Sequence, residues 1–95
     1  MTSITVERKV EGGKFFRIKV QLEHGNVKGL SLTGDFFLFP EEGLETLERI
    51  LLLCASMTSR EQAVRRLKQE TRSQGIEMVG MTSRDLVDAL WEVRG

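Results

Sequence analysis

A chain of 95 residues has room for one domain, residues 1–95, and excludes a multidomain enzyme. Forty per cent of the residues are apolar and 29% charged, values of a globular domain with one modest core and not of a disordered tail. Fourteen basic residues balance fourteen acidic ones, so only a local patch, never the whole surface, can attract nucleic acid or an anionic membrane.

In chain order, Ile4, Val6 and Val10 share one parity and open a first strand. Gly12-Gly13 supplies a turn. Phe16, Ile18, Val20 and Leu22 then alternate with Arg17, Lys19, Gln21 and Glu23, the period-two pattern of a half-buried strand. His24-Gly25-Asn26 offers turn chemistry, because Gly and Asn tolerate positive φ. Val27 to Thr33 follows as the third strand, with Leu30 and Leu32 inward. Short antiparallel strands joined by tight turns make a meander.

The second half reads as helix. Pro40, which lacks an N–H, with Glu41 and Glu42 beside it, opens a helix in which Leu44, Leu47, Ile50 and Leu51 recur at helical spacing. Thr58-Ser-Arg-Glu61 has the form of a capping box, followed by inward Ala63, Val64 and Leu67 and a stop at Gly75. Gly75 to Gly80 reads as a short connection. Thr82-Ser-Arg-Asp85 opens a third helix that buries Leu86, Val87, Leu90 and Val93. One apolar face per strand and one apolar stripe per helix predict a two-layer α+β domain: a three-stranded antiparallel meander with three helices on one face.

A single cysteine, Cys54, excludes an internal disulfide, and with a single histidine, His24, it excludes a structural zinc site. No apolar run approaches the roughly 20 residues of a membrane span, and residues 1–8 lack the apolar core of a signal peptide. The expectation is a soluble, cytoplasmic chain that binds neither nucleic acid nor membrane. No phosphate-binding glycine loop, no G-x-G-x-x-G, no paired-histidine or Cys-x-x-Cys motif and no G-x-S-x-G occurs, so no catalytic or metal residue is assigned.

The remaining features each have a structural and a functional reading. Cys54 follows Ile50-Leu-Leu-Leu53 near a helix C-terminus, where the dipole disfavours a thiolate, so packing is expected rather than reactivity. His24 is expected to be exposed in its turn. Arg65, Lys68 and Arg72 form one stripe, expected to be a solvated face with Glu61 supporting Arg65. Two segments stand out. Glu11-Gly-Gly-Lys14 puts a lysine just after a hairpin tip. Thr33-Gly-Asp-Phe-Phe-Leu-Phe-Pro40 places three of the five phenylalanines within four residues, more than one sheet face can bury. There, an interface anchor competes with a strand end bulged at Gly34, with Asp35 bonding backbone N–H groups.

These two segments carry a family resemblance. Lys9-Val-Glu-Gly-Gly-Lys14, the alternating strand, Thr33-Gly-Asp-Phe-Phe37 and Pro40-Glu-Glu42 opening a leucine-rich helix closely resemble the accessory domain of lipoate–protein ligases, over about Val6 to Val93. The chain departs from that pattern at Phe15, where the family has an aliphatic residue, and at Leu53-Cys54-Ala55, where it has a glycine. The resemblance implies a separate small subunit that holds no catalytic residues. The family's catalytic subunit uses lipoate, ATP and Mg²⁺ to form lipoyl-adenylate and lipoylates acceptor domains. It further implies a heterodimer with that catalytic subunit and a fold similar to iron–sulfur scaffold and sulfur-acceptor proteins. Gly12, Gly13, Lys14, Gly34, Asp35, Phe36 and Phe37 are the expected partner-supporting residues. Two rivals stand beside this reading: a sulfur-acceptor protein using Cys54, and a generic adaptor domain.

Overall fold

A computed structural model describes residues 2–10, 12 and 14–94. Three strands, β1 (Thr2–Lys9), β2 (Phe15–Glu23) and β3 (Asn26–Gly34), form an antiparallel sheet in the order β1-β2-β3. The register pairs Val6 with Ile18 and Ile18 with Leu32, so the apolar parity of all three strands lies on one face. The opposite face is polar apart from half-buried Phe15, and there Arg17 donates to Glu7 across the β1–β2 pair at 2.5 Å. The β2–β3 turn places His24 and Gly25 at φ 54° and 80°, the left-handed pair that a two-residue hairpin needs.

Helices α1 (Leu44–Cys54), α2 (Arg60–Ser73) and α3 (Ser83–Val93) cover the apolar face. Phe16, Ile18 and Leu32 from the sheet meet Leu47, Leu51, Leu67, Leu86 and Leu90 from the helices, all essentially fully buried. Each such side chain contributes about 1.5–3 kcal/mol relative to exposure. The expected α+β meander with three helices on one face is therefore the observed architecture. The two sheet edges differ. On β3 the Leu32 N–H donates to Glu48 Oε2 of α1 at 2.8 Å, which occupies part of that edge. On β1, Arg8 points toward the helices and pairs with Glu92 of α3.

Four local expectations are corrected. Ile4 stays 38% exposed, because the helices cover β1 only from Val6 onward. Pro40 does open a helical segment, but its first turn, Glu41–Gly43, is 3₁₀ and the α-helix itself starts only at Leu44. The α2 cap is Ser59, whose hydroxyl accepts from the Gln62 N–H at 3.3 Å, and not Thr58. No capping box closes there, since Glu61 is engaged by Arg84 of α3 at 2.9 and 2.7 Å. Finally, Gly75 to Gly80 is more than a connection: β5 (Glu77–Val79) lies within it and pairs antiparallel with β4 (Phe37–Phe39). A three-residue strand is too short to show a period.

Other boundaries follow the chemistry as expected. At Gly75 (φ 68°), α2 ends with the Ile76 N–H donating to Thr71 O and the Gly75 N–H to Arg72 O, a Schellman pattern. Thr82 and Asp85 form the reciprocal capping box of α3 at 3.1 and 3.0 Å.

Candidate functional site

Gly34 holds the site together. Its φ of +146° is a glycine conformation, and an added Cβ would lie 2.4 Å from Phe15 O and 2.6 Å from Phe16 Cα. With no side chain there, the chain presses onto the start of β2, and the Asp35 N–H donates to Phe15 O at 2.8 Å. No bulge occurs at Gly34; the register shift of the β2–β3 pair lies at Gln21/Leu22, near the opposite end. This crossing brings the β1–β2 hairpin and the β3–β4 turn to the same end of the molecule, as parallel first and third strands require.

At that end Lys14, exposed at the start of β2, places its Nζ 5.5 Å from the centroid of the Phe37 ring. Its carbonyl accepts from the Val10 N–H at 2.7 Å, closing the base of the hairpin in which Gly12 takes φ 94°. Gly13 lies outside the described residues. Asp35 is exposed and forms no side-chain hydrogen bond or ion pair among the described residues, so the carboxylate neither caps the turn nor meets Lys14; the ammonium goes to the aromatic ring. Phe36 is half-buried and, with Phe37, Leu38, Phe39, Glu41 and Leu44, lines a hollow of about 250 Å³.

Phe39, Glu77 and Val79 are site residues that sequence reasoning missed. In the β4–β5 ribbon, Phe37 faces Val79 and Phe39 faces Glu77. Leu38 and Met78 occupy the other face and pack inward. Phe37, Phe39 and Val79 remain 58%, 55% and 44% exposed, three of the five large apolar side chains that stand exposed among the described residues. One signal was available: Phe37 and Phe39 share a parity, so burying Leu38 exposes both.

The rival sites look different. Cys54 is fully buried, its Sγ 3.7 Å from the Ala63 carbonyl. Burial pushes its thiol up to about 11, with Arg66 lowering and Glu70 raising it by smaller amounts. A carrier thiol needs the opposite environment. His24 is exposed in its turn, 3.9 Å from Glu23. Arg65, Lys68 and Arg72 are exposed on α2 as expected, but Glu61 serves Arg84 rather than Arg65; the hydrogen bonds and charge of Arg84 hold the Glu61 carboxyl below its usual range. Among the described residues no group of three or more His, Cys, Asp or Glu is arranged to hold a metal ion, and no helix is long and apolar enough to cross a membrane. What the site offers is desolvatable aromatic surface with one lysine and flanking carboxylates.

No family model and no curated protein matches the sequence. A solved structure of an archaeal lipoylation system does: a bi-partite lipoate protein ligase and its E2 lipoyl domain from Thermoplasma acidophilum. The likeness has a TM-score of 0.68 at 25% sequence identity and covers 94% of this chain and 94% of that one. It therefore spans both folds end to end rather than a shared fragment. The resemblance to the lipoate–protein ligase system seen in the Gly-Gly-Lys and Gly-Asp-Phe-Phe segments thus extends to the whole fold.

Proposed function

We propose that this chain is the non-catalytic accessory subunit of a two-chain lipoate–protein ligase. In this reading a catalytic partner binds lipoate, ATP and Mg²⁺, activates lipoate to lipoyl-adenylate and transfers the lipoyl group to acceptor domains in the cytoplasm. The accessory chain forms a heterodimer with it and raises the rate of adenylate formation. The observation that carries the reading is the end-to-end likeness to a chain of the bi-partite ligase structure, with both chains covered to 94%. The geometry supports it, because the two segments that carry the family resemblance meet at one end of the fold, with Lys14 over Phe37.

Within that site Gly34 fixes the turn, Gly12 lets the hairpin tip bend, and Asp35, Phe36 and Phe37 present the surface that supports the partner. Lys14, placed over the Phe37 ring, offers a point charge toward an acidic or phosphate group. The sulfur-acceptor alternative is disfavoured by the buried Cys54 thiol.

The test is lipoate-dependent pyrophosphate release with ATP and Mg²⁺. The isolated chain is expected to release none, and the catalytic chain of a bi-partite ligase from the same organism is expected to accelerate when this chain is added. Turnover by the isolated chain at a rate comparable with a complete ligase, or no response of the catalytic chain to it, would contradict the proposal.

A further inference from the structure

We infer that the outward face of the β4–β5 ribbon docks onto a different protein, on an apolar patch rimmed by Lys and Arg; this rests on the reading above, under which that protein is the catalytic ligase chain. A two-stranded ribbon at a protein surface ordinarily has two unlike faces. One face packs on the core and the other meets water, giving apolar residues inside and polar ones outside. Here Leu38 and Met78 satisfy the inner face, yet Phe37, Phe39 and Val79 occupy three of the four outer positions. Nothing about core formation calls for these three side chains, since the meander and helices already bury a complete apolar layer without them. A concave neighbour, the hollow of about 250 Å³ between the ribbon and the start of α1, gives the patch relief that an inserted side chain can fill.

Charge decides the occupant. The fourth outer position is Glu77, opposite Phe39; Glu41 lines the hollow; Asp35 is exposed at the turn into β4. Against these three carboxylates stands Lys14, already engaged by the Phe37 ring. A second copy laid face to face would bring carboxylates against carboxylates around an apolar centre, which specific interfaces avoid. A surface with the same apolar centre and a cationic rim fits instead. The aromatic anchors would carry affinity, while the rim would set register and encounter rate.

The experiment measures affinity for the catalytic chain by calorimetry, beside thermal melts of each variant and sedimentation of the free chain. Phe39→Ser and Val79→Thr are expected to weaken binding roughly tenfold or more, with unchanged melts because both positions are exposed. Glu41→Lys with Glu77→Lys should weaken it further and flatten its salt dependence. Leu53→Ser, an exposed apolar position on α1, should leave affinity unchanged. Wild-type affinity in Phe39→Ser, with the catalytic chain still stimulated, would overturn the docking surface and leave the accessory reading standing. A free chain that self-associates through this face, and is rendered monomeric by Phe39→Ser, would overturn the choice of occupant. A wild-type chain that neither binds nor stimulates the catalytic chain would bring down both.

Discussion

The two sheets of this molecule use the same residue types in opposite ways. In the meander Phe16 is 1% exposed, and Ile18 and Val20 join it toward the helices while Arg17, Lys19 and Gln21 face water. In the β4–β5 ribbon Phe39 is 55% exposed on a strand that alternates just as strictly, but with its larger apolar residues outside. Alternation alone therefore says which residues share a face. It does not say which face the fold will cover, because that depends on where the helices end. A protein that keeps two phenylalanines and a valine on an uncovered face gives up solubility there without gaining core, and binding is the physical return that fits.

The contrast can be broken most sharply with one substitution in each sheet. Phe16→Ala should cost about 3–5 kcal/mol in urea unfolding, whereas Phe39→Ala should change stability by no more than about 0.5 kcal/mol. Equal costs would mean the ribbon is core after all. Gly34→Ala, at the junction of the two sheets, is expected to cost roughly 2–4 kcal/mol, because its methyl group would meet Phe15 and Phe16 backbone that cannot yield. A milder loss would mean that the crossing adjusts.

Cys54 gives a pH-dependent test on the meander side. Its thiol is held near 11 in the fold against an ordinary value of 9.0, so between those pH values the unfolded chain releases a proton that the native chain keeps. Stability from this residue is complete below pH 9.0 and is lost as pH rises toward about 11, by on the order of 2 kcal/mol. Urea unfolding of wild type and Cys54→Ala across that window should show the difference between them shifting in favour of the alanine variant. A constant difference would mean the thiol is hydrated. On the ribbon side, Lys14→Ala should leave the melt within about 0.5 kcal/mol of wild type, since an exposed charge adds little to stability. The same variant should slow adenylate formation by the reconstituted complex, with Asp35→Asn expected to slow it more. Full rates in both would make these residues structural only.

Much of this was legible in the sequence. The period-two runs in β2 and β3 and the 3.6-period stripes in α2 and α3 specify their faces locally, and Thr82-Ser-Arg-Asp85 caps its helix as written. Thr58-Ser-Arg-Glu61 has the same spelling but not the same outcome, because Arg84, distant in sequence, competes for Glu61 with a two-pronged hydrogen bond. β5 was illegible for the same kind of reason: Glu77-Met-Val79 becomes a strand only by pairing with Phe37–Phe39, a contact between segments forty residues apart. For the site, Gly12, Lys14, Gly34 and Phe37 could be named from their pattern. Phe39, Glu77 and Val79 join them through that same long-range pairing.

The most direct test of the account is to titrate the isotopically labelled chain with the catalytic chain of a bi-partite lipoate ligase and follow backbone amide resonances. The largest perturbations are expected on Lys14, Gly34, Phe36 to Phe39 and Glu77 to Gly80. Arg65, Lys68 and Arg72 on the outer face of α2, and the His24-Gly25 turn at the far end of the sheet, should stay where they are. Perturbations centred on α2 or on the His24 turn, with the ribbon silent, would contradict it.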